Sequence, residues 1–394
     1  MLTDSPYPNA YSYGFYQLGD RRTFSKIEFI EMLSANPTGW HYNFNDELFS
    51  CYDWSVEPSE DINVLYRKRA EQLRKKYDHL VLFYSGGYDS SNILYSFLDN
   101  NIKLDEVCTW SSQYDRTTEQ HYELETFTYP KLKALKEKFP HVKINHWEYG
   151  DHFKDWEKKI KQVGAFGNDM HVLGGALITM NRLIVDFAHE HITEYRDRIA
   201  KGERVAFIQG SDKPMLRYKD NKWIFNFHDG IVQGRITNAR RWVDDGTIGH
   251  TELFYWGDTH ECAEIIRKQC HLLKNKYNTQ AQIDFSKIPG VKKHKPGYGW
   301  EIDNIHLDFV KTIYPRLFSG NTILPNETWC TIKGGRNIFG NRDQWYTLGN
   351  HESASKFHSM WKSADVNPVY QPWYNDNKSI LSGIRSCLSR DYVI

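Results

Sequence analysis

The chain has 394 residues and a mass of 46.5 kDa, which predicts one large elaborated domain or two to three packed ones. Fifty basic and fifty acidic residues give a formal net charge of zero, which excludes the global basic field of most nucleic-acid binders but leaves room for a local basic groove. No run approaches the roughly 20 apolar residues of a membrane helix, and the first residues lack a basic and then apolar leader, so we expect a cytoplasmic protein with no membrane partner.

The cysteines are scattered and include no CxxC pair, which argues against a structural zinc site, a dithiol site or a disulfide framework. We expect them to be ordinary buried or neutral surface thiols: Cys51, Cys108, Cys262, Cys270, Cys330 and Cys387. Aromatic residues make up 15% of the chain, a content as consistent with loop-rich packing as with stacking on a ligand.

The first elements lead towards a buried strand. Ser25 and Glu28 form a capping box, which predicts a helix that ends near residue 36. Apolar residues spaced along 60–78 predict an amphipathic helix. The continuous apolar run at 80–84 is typical of a parallel strand buried on both faces, and a helical pattern over 89–100 follows a glycine-rich turn.

Strands and helices then alternate as far as residue 210. Further strands are predicted at 104–110, 142–149 and 204–210, with helices near 129–139, 156–162 and 172–188. This alternation predicts an α/β fold with a parallel, doubly wound, Rossmann-like sheet whose ligands bind at the carboxyl ends of its strands.

The pattern changes beyond residue 215. A strand is predicted at 222–227, and helices at 259–277, 302–314 and 353–364. We therefore predict three regions: an irregular N-terminal lead over 1–77, a sheet domain over 78–215, and an α+β substrate-specificity region over 216–394 packed on the sheet.

The strongest chemical signal is the segment Ser85-Gly86-Gly87-Tyr88-Asp89-Ser90-Ser91. Adjacent glycines let main-chain N–H groups approach an anion, and serine hydroxyls stand at the amino terminus of a helix, where the helix dipole favours phosphate. The segment fits neither the Walker pattern GxxxxGK[ST] nor the Rossmann pattern GxGxxG. It therefore predicts a different kind of phosphate-binding loop.

This segment resembles the SGGxDS loop, or PP-loop, of the adenine nucleotide alpha hydrolases, also called N-type ATP pyrophosphatases. The resemblance covers about residues 78–215 and implies the fold shared by that superfamily, cleavage of ATP between its α and β phosphates, and transfer of AMP to a carboxylate or carbonyl oxygen. It also implies roles for residues of the loop. Ser85, Gly86, Gly87, Ser90 and Ser91 would bind the β and γ phosphates, and Asp89 would hold Mg²⁺ and act in catalysis.

A second element of the same family follows the strand at 204–210. Gly210-Ser211-Asp212 matches the G-x-D element that asparagine-synthetase-like members carry opposite the PP-loop. The resemblance implies that Asp212 contributes to the magnesium or phosphate site and that Lys213 assists the departing pyrophosphate. The alternative is an Asx-turn followed by a solvated lysine.

The end of the second strand resembles the place where this family recognises adenine. Thr109 and Trp110 would belong to the ATP-binding site, with Trp110 lining a base pocket, although Trp110 could equally lie in the core. Lys333 to Arg336 and the pair Arg240-Arg241 are weaker candidates for phosphate or substrate contacts, and a surface-loop role is the alternative for both. His250, His260 and His271 lack metal spacing and stay unassigned.

Departures from the family narrow the expected chemistry. Isolated cysteines cannot build the four-cysteine zinc site or the sulfur-transfer sites of some members. Leu2 follows Met1 where glutamine-dependent asparagine synthetases have a catalytic cysteine, and 84 residues before the loop are too few for their glutaminase domain. Any nitrogen would come from ammonia, an amine or a partner. The overall composition resembles bacteriophage-encoded members, for which the compartment would be the host cytoplasm.

The leading hypothesis is an enzyme that uses ATP and Mg²⁺ to adenylate a small-molecule carboxylate or carbonyl oxygen and then forms an amide or related C–N bond. One alternative is a modifier of tRNA or a nucleobase that uses the same activation. Another is a module that binds adenine nucleotides without turnover. The identity of the acceptor and the oligomeric state are left open.

Overall fold

A computed structural model describes residues 14–23, 32, 40–111, 124–148, 192–210, 213–227, 250–281, 284–293, 299–302, 306–320 and 388–394. The helices predicted at 156–162, 172–188 and 353–364 lie outside these residues, as does the helix predicted after Ser25 apart from Met32.

The strands, in chain order, are β1 Phe15–Leu18, β2 Arg21–Thr23, β3 Trp40–Asn43, β4 His79–Phe83, β5 Glu106–Ser111, β6 Lys143–Glu148, β7 Val205–Gln209, β8 Met215–Lys219, β9 Lys222–Asn226, β10 His250–Leu253, β11 Val291–Lys293, β12 Trp300–Ile302 and β13 Tyr392–Val393. The α-helices are α1 Asp46–Phe49, α2 Ile62–Lys76, α3 Tyr88–Leu98, α4 Tyr129–Lys138, α5 Thr193–Ala200, α6 His260–Ala281 and α7 Leu307–Ile313. A π-helical turn, Leu124–Thr128, leads into α4, and short 3₁₀ helices cover Phe285–Lys287 and Pro315–Phe318.

The central sheet has five parallel strands in the order β10-β7-β4-β5-β6. Leu82 of β4 lies opposite Val107 of β5 on one side and Ile208 of β7 on the other. The chain runs from β4 through β5 to β6, and then returns to the other side of β4 to form β7 and β10. In open α/β sheets such a reversal leaves a crevice at the carboxyl ends of the two strands beside it, here β4 and β7, and ligands bind in that crevice.

Both faces of this sheet are covered, as the unbroken apolar run of β4 predicts. Leu80 and Leu82 join the core cluster that includes residues of α2 and α3. Phe83 points to the opposite face, where its ring lies 5.6 Å from that of Phe207, and Tyr195 of α5 packs 5.2 Å from Phe207. Side chains of successive strand residues alternate between the two faces, so the pattern follows from strand geometry.

The predicted α/β class and parallel sheet are confirmed, and β4, β5, β6 and β7 each begin and end within two residues of the predicted bounds. The sequence pattern predicts four of the five strands but not β10, which lies beyond residue 215 and pairs with β7. The helix predicted at 302–314 is shorter than expected because Trp300–Ile302 forms β12 and α7 begins only at Leu307.

Two antiparallel sheets flank the central one. The first, in the order β2-β1-β3, is formed by the N-terminal lead, and the second has the order β11-β12-β8-β9-β13. Aromatic rings join them to the central sheet: Phe44, which follows β3, lies 4.3 Å from Phe227, and Phe227 lies 5.2 Å from Trp256, which follows β10. In this part of the molecule the aromatic residues serve packing.

Candidate functional site

The loop between β4 and α3 lies at the crevice of the central sheet. Gly86 has a φ of 74°, a left-handed conformation that side chains disfavour. A Cβ atom at Gly86 would also lie 2.8 Å from the Oγ1 atom of Thr128. The loop conformation therefore requires glycine at position 86. This reason is separate from the close approach of an anion to the main chain, which the sequence suggests.

Gly87 is the N-cap of α3, and the first intrahelical hydrogen bond runs from the Ser91 N–H to the Gly87 carbonyl at 3.0 Å. The N–H groups of the preceding first turn have no acceptor within the helix, as at any α-helical amino terminus. They carry the positive end of the helix dipole towards the crevice.

The three serines of the loop differ in exposure. Ser85 is exposed, and its hydroxyl lies 3.3 Å from both the Gly87 nitrogen and the Ser90 hydroxyl. Ser90 is 4% exposed, and its hydroxyl donates to the Gly87 carbonyl at 3.3 Å. Ser91 is 3% exposed and its hydroxyl lies 3.2 Å from that of Tyr84. Ser85 therefore presents its hydroxyl to the open side, whereas the Ser91 hydroxyl faces the core.

Asp89 stands in the first turn of α3 and is held by two donors. The Lys213 ammonium lies 2.7 Å from Asp89 Oδ2, and the Tyr314 hydroxyl donates to Oδ1 at 2.6 Å. The side chains of Asp89 and Lys213 are 23% and 13% exposed. The structure thus brings Asp89 and Lys213 together across the β4 and β7 loops, as the parallel topology predicts.

Gly210 brings the end of β7 against the same helix turn. A Cβ atom at Gly210 would lie 3.0 Å from the Ser90 nitrogen and 3.1 Å from the Asp89 carbonyl carbon. These distances are shorter than most contacts of real Cβ atoms, so the close approach of β7 to α3 favours glycine at this position. Ser211 and Asp212 lie outside the described residues, so the role of Asp212 in a magnesium or phosphate site stays a prediction.

Two buried tyrosines belong to this site although the sequence analysis missed them. Tyr255, just beyond β10, donates to the Asp89 carbonyl at 2.9 Å and accepts a hydrogen bond from the Asn92 amide at 3.1 Å. Tyr314, at the end of α7, packs with its ring 5.7 Å from that of Tyr255. Burial raises the pKa of both hydroxyls well above the usual value, so they stay protonated and act as donors.

Two further side chains donate hydrogen bonds to main-chain carbonyls of the loop. The Thr128 hydroxyl donates to the Ser85 carbonyl at 2.8 Å, and the Lys131 ammonium donates to the Gly86 carbonyl at 2.6 Å. Thr128 is 0% exposed and Lys131 is 5% exposed. No sequence pattern indicates this role, because Lys131 has the spacing of an ordinary lysine on a helix surface.

The end of β5 offers main-chain groups to the crevice. The Tyr84 N–H donates to the Cys108 carbonyl at 2.7 Å, and β5 continues to Ser111 in register with β6. Because alternate residues of a strand direct their main-chain groups to the same side, those of Trp110 face the β4 side. The Thr109 side chain is 1% exposed, and the Trp110 side chain lies outside the described part of the structure.

The weaker candidates have structural roles or lie outside the described residues. His271 is buried, with its Nε2 atom 2.9 Å from the Trp54 carbonyl oxygen, and His260 lies 2.5 Å from the Tyr52 hydroxyl. The described part of the structure does not include the His250 side chain, the pair at 240–241 or the turn at 333–336. Among the described residues, no group of three or more His, Cys, Asp or Glu side chains could hold a metal ion.

The structure describes four of the six cysteines. All four are free thiols: Cys51 is exposed, and the other three, Cys108, Cys262 and Cys270, are buried. Burial raises the pKa of these three thiols, which disfavours the reactive thiolate. Cys330 and Cys387 lie outside the described residues.

Comparison with models of known protein families gives no match, and comparison with curated proteins gives none either. In the described ranges, no helix has the length and the apolar character needed to cross a membrane.

Proposed function

We propose that this protein is a PP-loop ATP pyrophosphatase that adenylates a substrate carboxylate or carbonyl oxygen and then joins it to an amine or ammonia. The observation that carries the proposal is the 2.7 Å contact between Lys213 and Asp89 at the crevice where the order of the parallel strands reverses. The PP-loop sequence, an open helix amino terminus and a cation from the neighbouring strand end meet at this point.

The residues of the crevice fit a polyphosphate. The amino terminus of α3 supplies N–H groups, Ser85 supplies an exposed hydroxyl, and Lys213 supplies a positive charge. Gly210 lets the end of β7 pack closely against the first turn of α3. The main-chain groups of Trp110 would serve the adenine base, in the HUP-like form of the Rossmann fold that we propose for the chain.

Asp89 fits the protein's share of a magnesium site. Mg²⁺ in nucleotide enzymes takes one or two protein carboxylates, because phosphate oxygens and water supply the remaining ligands. Asp89 would hold the ion, and Asp212 is the proposed second carboxylate. Lys213 would then move from Asp89 Oδ2 to a phosphate oxygen, which leaves Oδ2 available to the ion. The ion would neutralise part of the negative charge of the phosphates.

In the proposed reaction the acceptor oxygen attacks the α-phosphorus of ATP, and the bond between that phosphorus and the oxygen bridging to the β phosphate breaks. Pyrophosphate leaves with the negative charge, which Lys213 and the helix N–H groups stabilise. The amine then attacks the acyl carbon of the adenylate, loses a proton, and displaces AMP. Positioning and electrostatic stabilisation are the protein's contribution to both steps.

The test is to incubate the protein with ATP, Mg²⁺ and panels of carboxylates and amines, and to follow the phosphorus products by NMR. We expect AMP and pyrophosphate, and a carboxylate labelled with ¹⁸O should transfer label to AMP. Asp89→Asn should abolish the reaction, whereas Asp220→Asn, at a side chain 83% exposed in the β8–β9 turn, should not. Formation of ADP and phosphate would contradict the proposal, and nucleotide binding without turnover on any acceptor would favour the non-catalytic module.

A further inference from the structure

Two peptide groups of the loop between β4 and α3 are fixed by two buried side chains, those of Thr128 and Lys131. The Ser85 carbonyl accepts from the Thr128 hydroxyl at 2.8 Å, and the next carbonyl, that of Gly86, accepts from the Lys131 ammonium at 2.6 Å. Thr128 ends the π-helical turn and Lys131 lies in the first turn of α4. Two consecutive carbonyls therefore point towards the start of α4.

Fixing a carbonyl also fixes the N–H group of the same peptide. In a planar trans peptide the C=O and the following N–H point in opposite directions. The N–H groups of Gly86 and Gly87 are thus directed away from α4. The Gly87 N–H points towards the hydroxyl of Ser85 at 3.3 Å, and Ser85 is the exposed residue of the loop. The two anchors therefore turn the loop amides towards the open crevice.

A loop with adjacent glycines needs such anchors. Glycine adopts positive and negative φ almost equally, so the peptide between Gly86 and Gly87 could reverse its orientation at low cost. The reversed peptide would present a carbonyl oxygen, which repels phosphate, where an N–H group is needed. Thr128 also lies where a Cβ at Gly86 would be, and Gly86 has a φ of 74°, so this position requires the residue with the fewest limits on its backbone.

We propose that Thr128 and Lys131 are positioning residues that keep the PP-loop amides directed at the phosphates of the bound nucleotide. The inference rests on the proposed function, since it assumes a polyphosphate at the loop. If the two residues acted in folding alone, replacing either one would lower stability and weaken the binding of every ligand to the same degree. Positioning predicts instead a loss confined to ligands that carry the phosphates held by the loop.

The experiment measures binding of inorganic pyrophosphate, ATP and AMP to the full chain by isothermal titration calorimetry. Thr128→Val removes the hydroxyl at nearly constant volume, and Thr128→Ser keeps it. Lys131→Met removes the ammonium, with Lys133→Met as a control at an exposed lysine of the same helix. Circular dichroism and melting temperature establish that each variant folds.

We expect Thr128→Val and Lys131→Met to weaken pyrophosphate and ATP binding by about tenfold or more, equivalent to losing one hydrogen bond to the loop. AMP binding should change by less than about twofold to threefold, and Thr128→Ser and Lys133→Met should resemble the unmodified protein. If Lys131→Met does not fold, the Thr128 pair decides the question.

Two results would overturn the inference in different ways. Folded variants that bind pyrophosphate as tightly as the unmodified protein, or that lose AMP to the same degree, would refute positioning and leave the proposed function standing. An unmodified protein that binds neither pyrophosphate nor ATP would refute both.

Discussion

At the scale of single residues, Asp89 is the centre of the candidate site because its two carboxylate oxygens and its main-chain carbonyl each accept a hydrogen bond. The donors come from three distant parts of the chain: Lys213, Tyr314 and Tyr255. Bringing three donors to one partly exposed carboxylate costs free energy, because each group must be ordered and partly desolvated. A contribution to stability alone does not account for this cost. It is the arrangement expected where a carboxylate must be held in one orientation.

Lys213 should matter more for the rate than for affinity. In the proposed reaction Lys213 stabilises the departing pyrophosphate, so we expect Lys213→Ala to lower turnover on the order of a hundredfold, the usual cost of removing one preorganised electrostatic contact. ATP binding measured by calorimetry should weaken by less than about tenfold. Lys219→Ala, at the more exposed end of β8, is the matched control. Full activity in Lys213→Ala would remove Lys213 from the catalytic site.

Tyr314 should support turnover through Asp89. Tyr314→Phe removes the hydroxyl at 2.6 Å from Oδ1 and leaves the ring packing in place, so we expect turnover to fall by about tenfold, the equivalent of roughly 1.4 kcal/mol of barrier. Tyr277→Phe, at another buried tyrosine on α6, should leave turnover unchanged and shows whether loss of any buried hydroxyl has this effect. Equal activity of both variants would assign Tyr314 to packing alone.

Lys131 should give the protein a measurable dependence of stability on pH. Burial lowers its pKa to about 8 from the usual 10.5, so the cost of burying the ammonium is fully present below about pH 8. Between about pH 8 and 10.5 the unfolded chain holds a proton that the folded protein has released, and stability therefore rises with pH. The stability of the unmodified protein relative to Lys131→Met should rise across this window by up to about 3 kcal/mol. A difference that stays constant with pH would contradict this assignment.

Residues of the candidate site differ in how far the sequence could predict them. The loop from Ser85 to Ser91 follows a recognisable strand, and Lys213 follows the next strand that borders the crevice. Tyr255 and Tyr314 contact Asp89 across 166 and 225 residues, and no local pattern encodes a contact at that separation. Tyr255 had one usable signal, since it directly follows a short run of strand character.

At the scale of elements, α2 and β10 are joined by a buried ion pair. Arg69 lies 3.0 Å from Glu252, and it also donates to the Leu253 carbonyl at 3.0 Å and to the Phe254 carbonyl at 3.1 Å. Its side chain is 0% exposed and that of Glu252 is 3% exposed. These bonds fix the carboxyl end of β10, and with it the position of Tyr255 beside Asp89.

Replacing Arg69 should therefore cost more than replacing its neighbour on the same helix. Arg69→Met leaves Glu252 and two carbonyls with fewer donors in a dry interior, and we expect a loss of about 3 kcal/mol in the free energy of unfolding. Arg67→Met, at a side chain 43% exposed, should change it by less than about 0.5 kcal/mol. Denaturant titration measures both, and equal effects would show that the buried pair does not hold β10.

The elements that the sequence predicted well have strong local signals. The strand β4 is buried at every position and is apolar from Leu80 to Phe83. Helix α2 has Asp61 as its N-cap, whose side chain accepts from the Asn63 N–H at 2.8 Å. By contrast, α5 is mostly polar and buries mainly Tyr195, so its periodicity is weak. The edge strand β10 has four residues and becomes a strand through its pairing with β7.

At the scale of the whole molecule, the candidate site is assembled from two predicted regions. The loop between β4 and α3 and Lys213 come from 78–215, whereas Tyr255 and Tyr314 come from 216–394. The core is continuous across these regions, because one cluster of buried side chains extends from Tyr16 through Leu82 to Ile394. The C-terminal half is thus coupled to the crevice through direct contacts with Asp89.

The most direct test of the account is a crystal structure of the protein with Mg²⁺ and α,β-methylene-ATP, an analogue that resists cleavage between the α and β phosphates. We predict that its β and γ phosphates accept hydrogen bonds from the Gly86 and Gly87 amides, with Lys213 turned from Asp89 to a phosphate oxygen. Binding of the analogue away from the carboxyl ends of β4 and β7, or an unchanged crevice at a saturating concentration, would contradict the assignment of this loop as the phosphate site.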